Sequence, residues 1–207
     1  MSEQKRKCKI IALDGAHGTG KDTVINYLKE YYTKKGVKVY TYSELEGSTT
    51  LLPRKIFGRK NDLNQQFWWL FNIYARNHYV IKQHYDEDCL VILNRDYIGV
   101  YAYSKVLLQE KFADFLKATN VLSPITDLVI VLTCPSGEAI RRITSRNREN
   151  SKANNEFDRK YFEDVNATIL SIAKSPKYIK KYRVVDTTKK NYKAEIRKIV
   201  NEVISDE

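Results

Sequence analysis

Apolar positions along the chain fall into two alternating patterns, short aliphatic or β-branched runs and longer stretches with helical spacing. Lys9–Leu13 (KIIAL) is a short apolar run closed by Asp14-Gly15, and Val24, Leu28 and Tyr31 then recur at the spacing of one helix face. Gly36 ends that helix, and Val37–Tyr42 (VKVYTY), rich in β-branched and aromatic residues, predicts a second strand. A long helix is expected from Asn61 to about Tyr85. Cys89–Leu93 (CLVIL) is apolar all round, as suits a central parallel strand. The pattern then predicts a helix from about Tyr97 to Thr119, a strand at Leu128–Leu132 (LVIVL) and helices over Ser136–Arg146 and Glu156–Lys174. A last strand at Tyr182–Val185 and a last helix at Tyr192–Ile204 complete it.

Strand-helix alternation with right-handed crossovers predicts a three-layer α/β/α fold, with a five-stranded parallel sheet covered on both faces. Ligands then bind beyond the carboxyl ends of the strands. No linker, repeat or internal boundary interrupts residues 1–207, so a single domain is expected. The polar insert Asn147–Asn155 (NRENSKANN) is the one low-hydrophobicity stretch inside this pattern.

Composition changes this picture little. Hydrophobic residues make up 43% and charged residues 29%, a globular balance. No apolar run is long enough to cross a bilayer, and Met1–Lys9 is too polar for a signal peptide. The cysteines Cys8, Cys89 and Cys134 are odd in number, widely spaced and free of any CxxC pairing. Reduced, partly buried thiols in the cytoplasm are therefore expected. His78 and His84 offer no metal spacing. The net charge of +11 admits nucleic acid as a partner but equally suits a protein whose substrates are polyanions. Its basic residues are spread along the chain, and no RGG tract, zinc-finger spacing or aromatic RNA-binding signature accompanies them, which argues against nucleic acid as the main ligand.

The sharpest chemical signal is Gly15-Ala16-His17-Gly18-Thr19-Gly20-Lys21, a GxxxxGK pattern placed between a predicted strand and a predicted helix. Glycines let backbone N–H groups turn inward around phosphates, the helix start adds positive potential, and Lys21 reaches the terminal phosphates. Residues Gly15 to Thr23 are therefore the expected ATP-binding loop, with the backbone of His17 mattering more than its ring. The residue after the lysine is usually Ser or Thr, whose hydroxyl ligates Mg²⁺. Here it is Asp22, followed by Thr23, so Asp22 is either a metal contact or a helix-start carboxylate. No later DxxG or NKxD supplies GTPase elements.

After the central strand comes Asn94-Arg95-Asp96-Tyr97, with Ala102-Tyr103 at fixed distance. Here the chain resembles the thymidylate kinase family, within the P-loop group that includes deoxynucleoside kinases. The family's DRYxxSxxAYQ reads NRDYIGVYAYS in this chain. Its EGxDGxGK(S/T)T loop corresponds to Asp14–Thr23, its REPGGT turn loosely to Ser43–Ser48, and its FAADR helix to Asn72–Arg76. Its LDxPPExALxRIxxRxR segment resembles Leu132–Arg148, and its V-(I/V)-D strand end resembles Val184–Asp186. The resemblance implies a P-loop kinase fold with a helical lid (insert at about 141–156), ATP and Mg²⁺ as donor and cation, and a homodimer. It further implies that Arg95 contacts the acceptor phosphate, that Arg76 binds the acceptor nucleotide, and that Arg142 and Arg146, with Arg148 just beyond, supply lid charge. Arg142 and Arg146 stand four residues apart, hence on one helical face. Phosphoryl transfer asks mainly for positioning and neutralisation of charge, which suits such a set. Phe71, Tyr74 and Tyr103 are candidates to enclose a flat base.

The chain also departs from the family. The aspartate of DR is Asn94, and if the backbone stays extended Asp96 falls on the same side and can substitute as a metal contact. The family's serine and glutamine near the acceptor base are Gly99 and Ser104, and the arginine of REPGGT is Ser43. Glu44 fits either an acceptor contact or, as in deoxynucleoside kinases, a base acting on a sugar hydroxyl. The main expectation is a dTMP kinase producing dTDP. Its rivals are a deoxynucleoside kinase, a nucleotide-dependent nucleic-acid-binding or end-processing protein, and a family member that binds nucleotide without turnover.

Overall fold

In the computed structural model, which describes residues 6–43, 63–119, 125–146, 157–175, 179 and 181–205, the first apolar run becomes the middle of the sheet. Strands β1 (Lys9–Asp14), β2 (Val39–Tyr42), β3 (Leu90–Asn94), β4 (Leu128–Thr133) and β5 (Tyr182–Asp186) lie in the order β2-β3-β1-β4-β5. All four neighbouring pairs are parallel. The expected α/β fold with a five-stranded parallel sheet is therefore present.

The period of two along each strand divides its side chains between two cores. Ile10, Ala12, Val91 and Val129 face one side. There they meet Val80 of α2 (Leu63–His84), Ala102 of α3 (Tyr97–Leu108) and Val165 and Ile169 of α6 (Arg159–Ala173). Ile11, Leu13, Ile92 and Ile130 face the other. That side is closed by Val24 and Leu28 of α1 (Lys21–Lys34) and Ile196 and Val200 of α7 (Tyr192–Ser205). Because β1, β3 and β4 are buried on both faces, their sequences show continuous apolar runs rather than alternation.

The structure corrects three boundaries. The second strand starts at Val39, not Val37, because Gly36 (φ 80°) ends α1 in a left-handed cap and Val37 N–H bonds back to Tyr32 O at 3.0 Å. The helix expected over Tyr97–Thr119 is broken: Gln109 adopts φ 50°, a 3₁₀ turn covers Gln109–Lys111, and α4 (Phe112–Thr119) follows in a new direction. The break lets Phe115 bury completely against Phe67 and Tyr101, ring centroids 5.0 and 5.9 Å away. The sixth helix starts at Arg159, where Asp158 caps it by accepting from Tyr161 N–H at 3.0 Å.

The carboxyl ends of β1 and β3 lie side by side, with Leu13 opposite Asn94. The glycine-rich loop leaves β1 and the Asn94-Arg95-Asp96 turn leaves β3 at the same place, so both motifs open on one crevice. Removing the ring that fixes α4 is expected to be costly. Phe115→Ala should lose about 3–5 kcal/mol, read as a lower urea midpoint at unchanged slope.

Candidate active site

The loop between β1 and α1 is shaped by its glycines. Gly15 sits at φ 144°, and a Cβ there would lie 2.4 Å from Leu132 O, so no side chain fits. Gly18 and Gly20 also adopt positive φ, which turns successive peptides about the space in front of α1. Thr19 is buried and donates from Oγ1 to Ala16 O at 2.9 Å. Lys21, only 8% exposed, donates from Nζ to Gly15 O (2.9 Å) and Ala16 O (3.0 Å). Thr23 is exposed on α1.

Arg95 meets this loop from the other strand. Its Nη1 donates to Gly15 O at 3.3 Å and lies 3.8 Å from Asp14 Oδ1, and its guanidinium covers the Tyr103 ring at 4.9 Å. Tyr103 in turn accepts from His17 N–H at 3.1 Å through its hydroxyl and meets the His17 ring edge-on at 5.2 Å. His17 thus enters the site through its ring as well as its backbone. Nothing in the sequence alone places Tyr103 beside that ring.

Asp14 was passed over as a strand terminator, and the structure makes it the hub. Its carboxylate is fully buried, accepting from Gly15 N–H (2.8 Å), Asp96 N–H (3.1 Å) and Gly99 N–H (3.0 Å). Burial pushes its carboxyl above the ordinary range, opposed by the Arg95 guanidinium, Asp96 N–H, the Lys21 ammonium and Gly15 N–H. Its signal in the sequence was an acid ending an otherwise apolar strand.

Several expectations about the acceptor side need correction. Arg76 is fully buried, and its guanidinium is spent on the protein. It donates to Asn77 Oδ1 from Nε (3.2 Å) and Nη2 (2.8 Å). Its remaining N–H groups reach the carbonyls of Asn94 (3.0 Å), Arg95 (2.9 Å) and Ser43 (3.4 Å). All its N–H groups are thereby engaged within the protein, where they brace the β3–α3 turn. Phe71 and Tyr74 are 65% and 37% exposed. At about 100° per residue, both fall on the far side of α2 from Arg76, away from the base-enclosing position expected of them. Asp96 is not beside Asn94, because Arg95 adopts φ 71° and breaks the extended path. Its buried carboxylate caps α3, accepting from Tyr97 N–H (2.8 Å), Thr126 Oγ1 (2.9 Å) and Asn77 Nδ2 (3.4 Å), which removes it as a metal contact. Glu44 and Arg148 lie outside the described residues.

Asp22 is exposed in the first turn of α1, and Asn94 Nδ2 donates to its Oδ1 at 3.0 Å. A carboxylate and an amide oxygen at the mouth of a phosphate loop are hard oxygen donors, the type Mg²⁺ takes. Asn94 Oδ1 is buried and accepts no hydrogen bond among the described residues, as befits a group with a further ligand to meet.

On α5 (Ser136–Ser145), Arg142 leans over the loop. It donates to Gly18 O (3.4 Å), Thr187 Oγ1 (2.8 Å) and Thr187 O (3.2 Å), which ties the phosphate loop to the segment after β5. Arg146 is exposed at the C-cap of α5, one residue past the helix, and does not share that network. Glu138 bridges Arg141 and Arg142, with shortest contacts of 2.7 Å to each, and these arginines pull its carboxyl down to about 2. All three cysteines are free and buried, and burial pushes the Cys89 thiol up to about 12. At the opposite end of β3, donor atoms of His84, Glu87 and Cys89 come within 4.8 Å of one another. There Glu87 and the Tyr42 hydroxyl engage both His84 ring nitrogens.

A phosphate loop facing a buried arginine across a parallel sheet defines a nucleotide-binding, ATP-dependent phosphotransferase of the P-loop kinase class. The chain belongs to the thymidylate kinase family, whose sequence model matches residues 13–199. It is 23% identical over 198 residues to a thymidylate kinase of Desulfotalea psychrophila, covering 93% of this chain and 96% of that one. It is 29% identical over 191 residues to a probable thymidylate kinase of Saccharolobus solfataricus, covering 87% and 89%. Among solved structures it resembles deoxyadenosine kinase from M. mycoides with bound dATP, at TM-score 0.66 and 20% identity over 93% of this chain and 99% of that one. That likeness concerns the fold.

Two measurements test the geometry. A Cβ on Gly99 would lie 2.6 and 2.8 Å from the two Asp14 carboxylate oxygens. Gly99→Ala should therefore cost about 1–3 kcal/mol by chemical denaturation. Because the folded Glu138 carboxyl lies below its ordinary 4.5, its contribution is present above that value and fades as pH falls toward about 2. Carboxyl NMR should place its midpoint near 2 and show a rise in Arg141→Ala and Arg142→Ala; an unmoved midpoint in both variants would refute the ion pairs.

Proposed function

We propose that this kinase phosphorylates a nucleoside monophosphate, dTMP being the expected acceptor, to give dTDP and ADP. The observation that carries this reading is Arg95, a buried cation 3.3 Å from the phosphate loop at Gly15 O. A monophosphate acceptor already presents an anionic oxygen, so it needs a cation near the transfer point rather than a base. Tyr103 supports the same side of the crevice, its ring held between Arg95 and His17.

In this reading Lys21 exchanges its loop carbonyls for the donor's terminal phosphates, and backbone N–H groups of the loop other than those of Gly15 and His17 hold the rest. Arg142 joins the loop to Thr187 and anchors the start of the lid, taken as the insert at about 141–156, with Arg146 at its base. Closure excludes water, which limits wasteful hydrolysis. Mg²⁺, with Asp22 as its protein carboxylate, would neutralise charge on the bridging phosphates. A homodimer and a cytoplasmic location belong to the same reading.

The test is a coupled ADP-release assay across dTMP, dUMP, dCMP, dGMP, dAMP and thymidine. Turnover with dTMP and none with thymidine is expected. Turnover with thymidine alone would assign a deoxynucleoside kinase, and none with any monophosphate would sink the reading. Lys21→Ala should lower kcat by about a hundredfold or more while leaving the melting temperature near that of the parent.

A further inference from the structure

We infer that Asp22 and Asn94 are an exchanged pair: the carboxylate of the divalent-cation site has moved from the end of β3 to the start of α1, and the Asn94 amide faces it, its Oδ1 being the neutral oxygen donor once the amide turns. The inference rests on the kinase reading above and adds the division of labour within its metal site. Taken singly, each residue looks like a loss. Asp22 stands where a P-loop carries a hydroxyl, and Asn94 stands where the resembling family carries an aspartate. Taken together they keep one carboxylate and one neutral oxygen across the same gap.

The geometry points to the pair as a unit. Although 72 residues apart in sequence, the two side chains are joined by the 3.0 Å hydrogen bond from Asn94 Nδ2 to Asp22 Oδ1. The other end of the amide, Asn94 Oδ1, is buried and takes no hydrogen bond among the described residues. A half-turn of the amide would bring that oxygen round to the Asp22 carboxylate, so that both face one cation. Mg²⁺ is usually held by one or two carboxylates plus phosphate oxygens and waters, and amide oxygens are hard donors of the same kind.

The neighbouring acids are committed elsewhere. Asp14 is buried with three backbone N–H donors and Arg95 about it, and Asp96 is buried as the cap of α3. Of these three carboxylates at the crevice, Asp22 is the exposed one.

The test uses Mn²⁺ as the probe, its binding to the enzyme–ADP complex read by electron paramagnetic resonance, in the parent, Asp22→Thr, Asp22→Asn, Asn94→Asp and the Asp22→Thr/Asn94→Asp double variant. ADP affinity in EDTA is measured alongside. Both single changes at Asp22 should weaken Mn²⁺ binding by about tenfold or more, and the double variant should recover most of that loss. Metal-free ADP affinity should stay near the parent value throughout. Parent-like Mn²⁺ binding in the Asp22 variants, or no recovery in the double variant, overturns the exchange while leaving the kinase reading intact. Failure of the parent to bind ADP with or without Mn²⁺ overturns both.

Discussion

The Asp14 carboxylate is the constraint on which the rest of the site depends. It lies at the point where the central strand gives way to the phosphate loop, wholly out of solvent. A buried charge in that place is tolerable only if it is compensated, and the compensation comes from separate parts of the chain: Gly15 in the loop, the Asp96 and Gly99 amides at the start of α3, and Arg95. Meeting the needs of one acid therefore fixes the distance between the phosphate loop and the β3–α3 turn. The absence of a side chain at Gly99 is part of the same arrangement, since α3 approaches the carboxylate too closely for a Cβ.

The cations around the loop act on its carbonyls. Lys21 holds those of Gly15 and Ala16, Arg95 that of Gly15, and Arg142 that of Gly18. Arg76 extends the principle one layer out by bracing the carbonyls of Asn94 and Arg95. Arg95 can hold φ 71° because its carbonyl, its amide and its side chain are all secured, the amide by Leu13 O at 2.9 Å. Strain in one residue is thus maintained by a surround that allows no alternative.

The sheet, its parallel sense and the phosphate loop were legible in the sequence because each is written locally. Runs such as Leu90–Leu93 and Leu128–Leu132 carry their double-sided burial in their composition, and Gly15–Lys21 carries its turn in its glycines. What was not legible depended on where buried side chains end. Arg76 receives a nucleotide-binding role from the family resemblance, and only three-dimensional packing shows its N–H groups bonded to carbonyls. Asp96 was misplaced because alternation assumes an extended backbone, and a left-handed residue with a side chain leaves no mark in the sequence. The break at Gln109 escaped for the same reason, with neither glycine nor proline to announce it.

The central position of β1 also bears on how the chain is made. Ribosomes release chains from the amino terminus, so the phosphate-loop strand emerges before both of its sheet partners, which lie far downstream. Ile10 N–H bonds to Asp127 Oδ2 at a separation of 117 residues, and Arg6 reaches the same carboxylate. Until β3 and then β4 have left the exit tunnel, Ile10, Ile11 and Leu13 have no sheet to join. A nascent chain must therefore carry this apolar strand without both of its partners until Asp127, 117 residues beyond Ile10, has been made, a long exposure during which chaperones and premature self-association compete for the same segment.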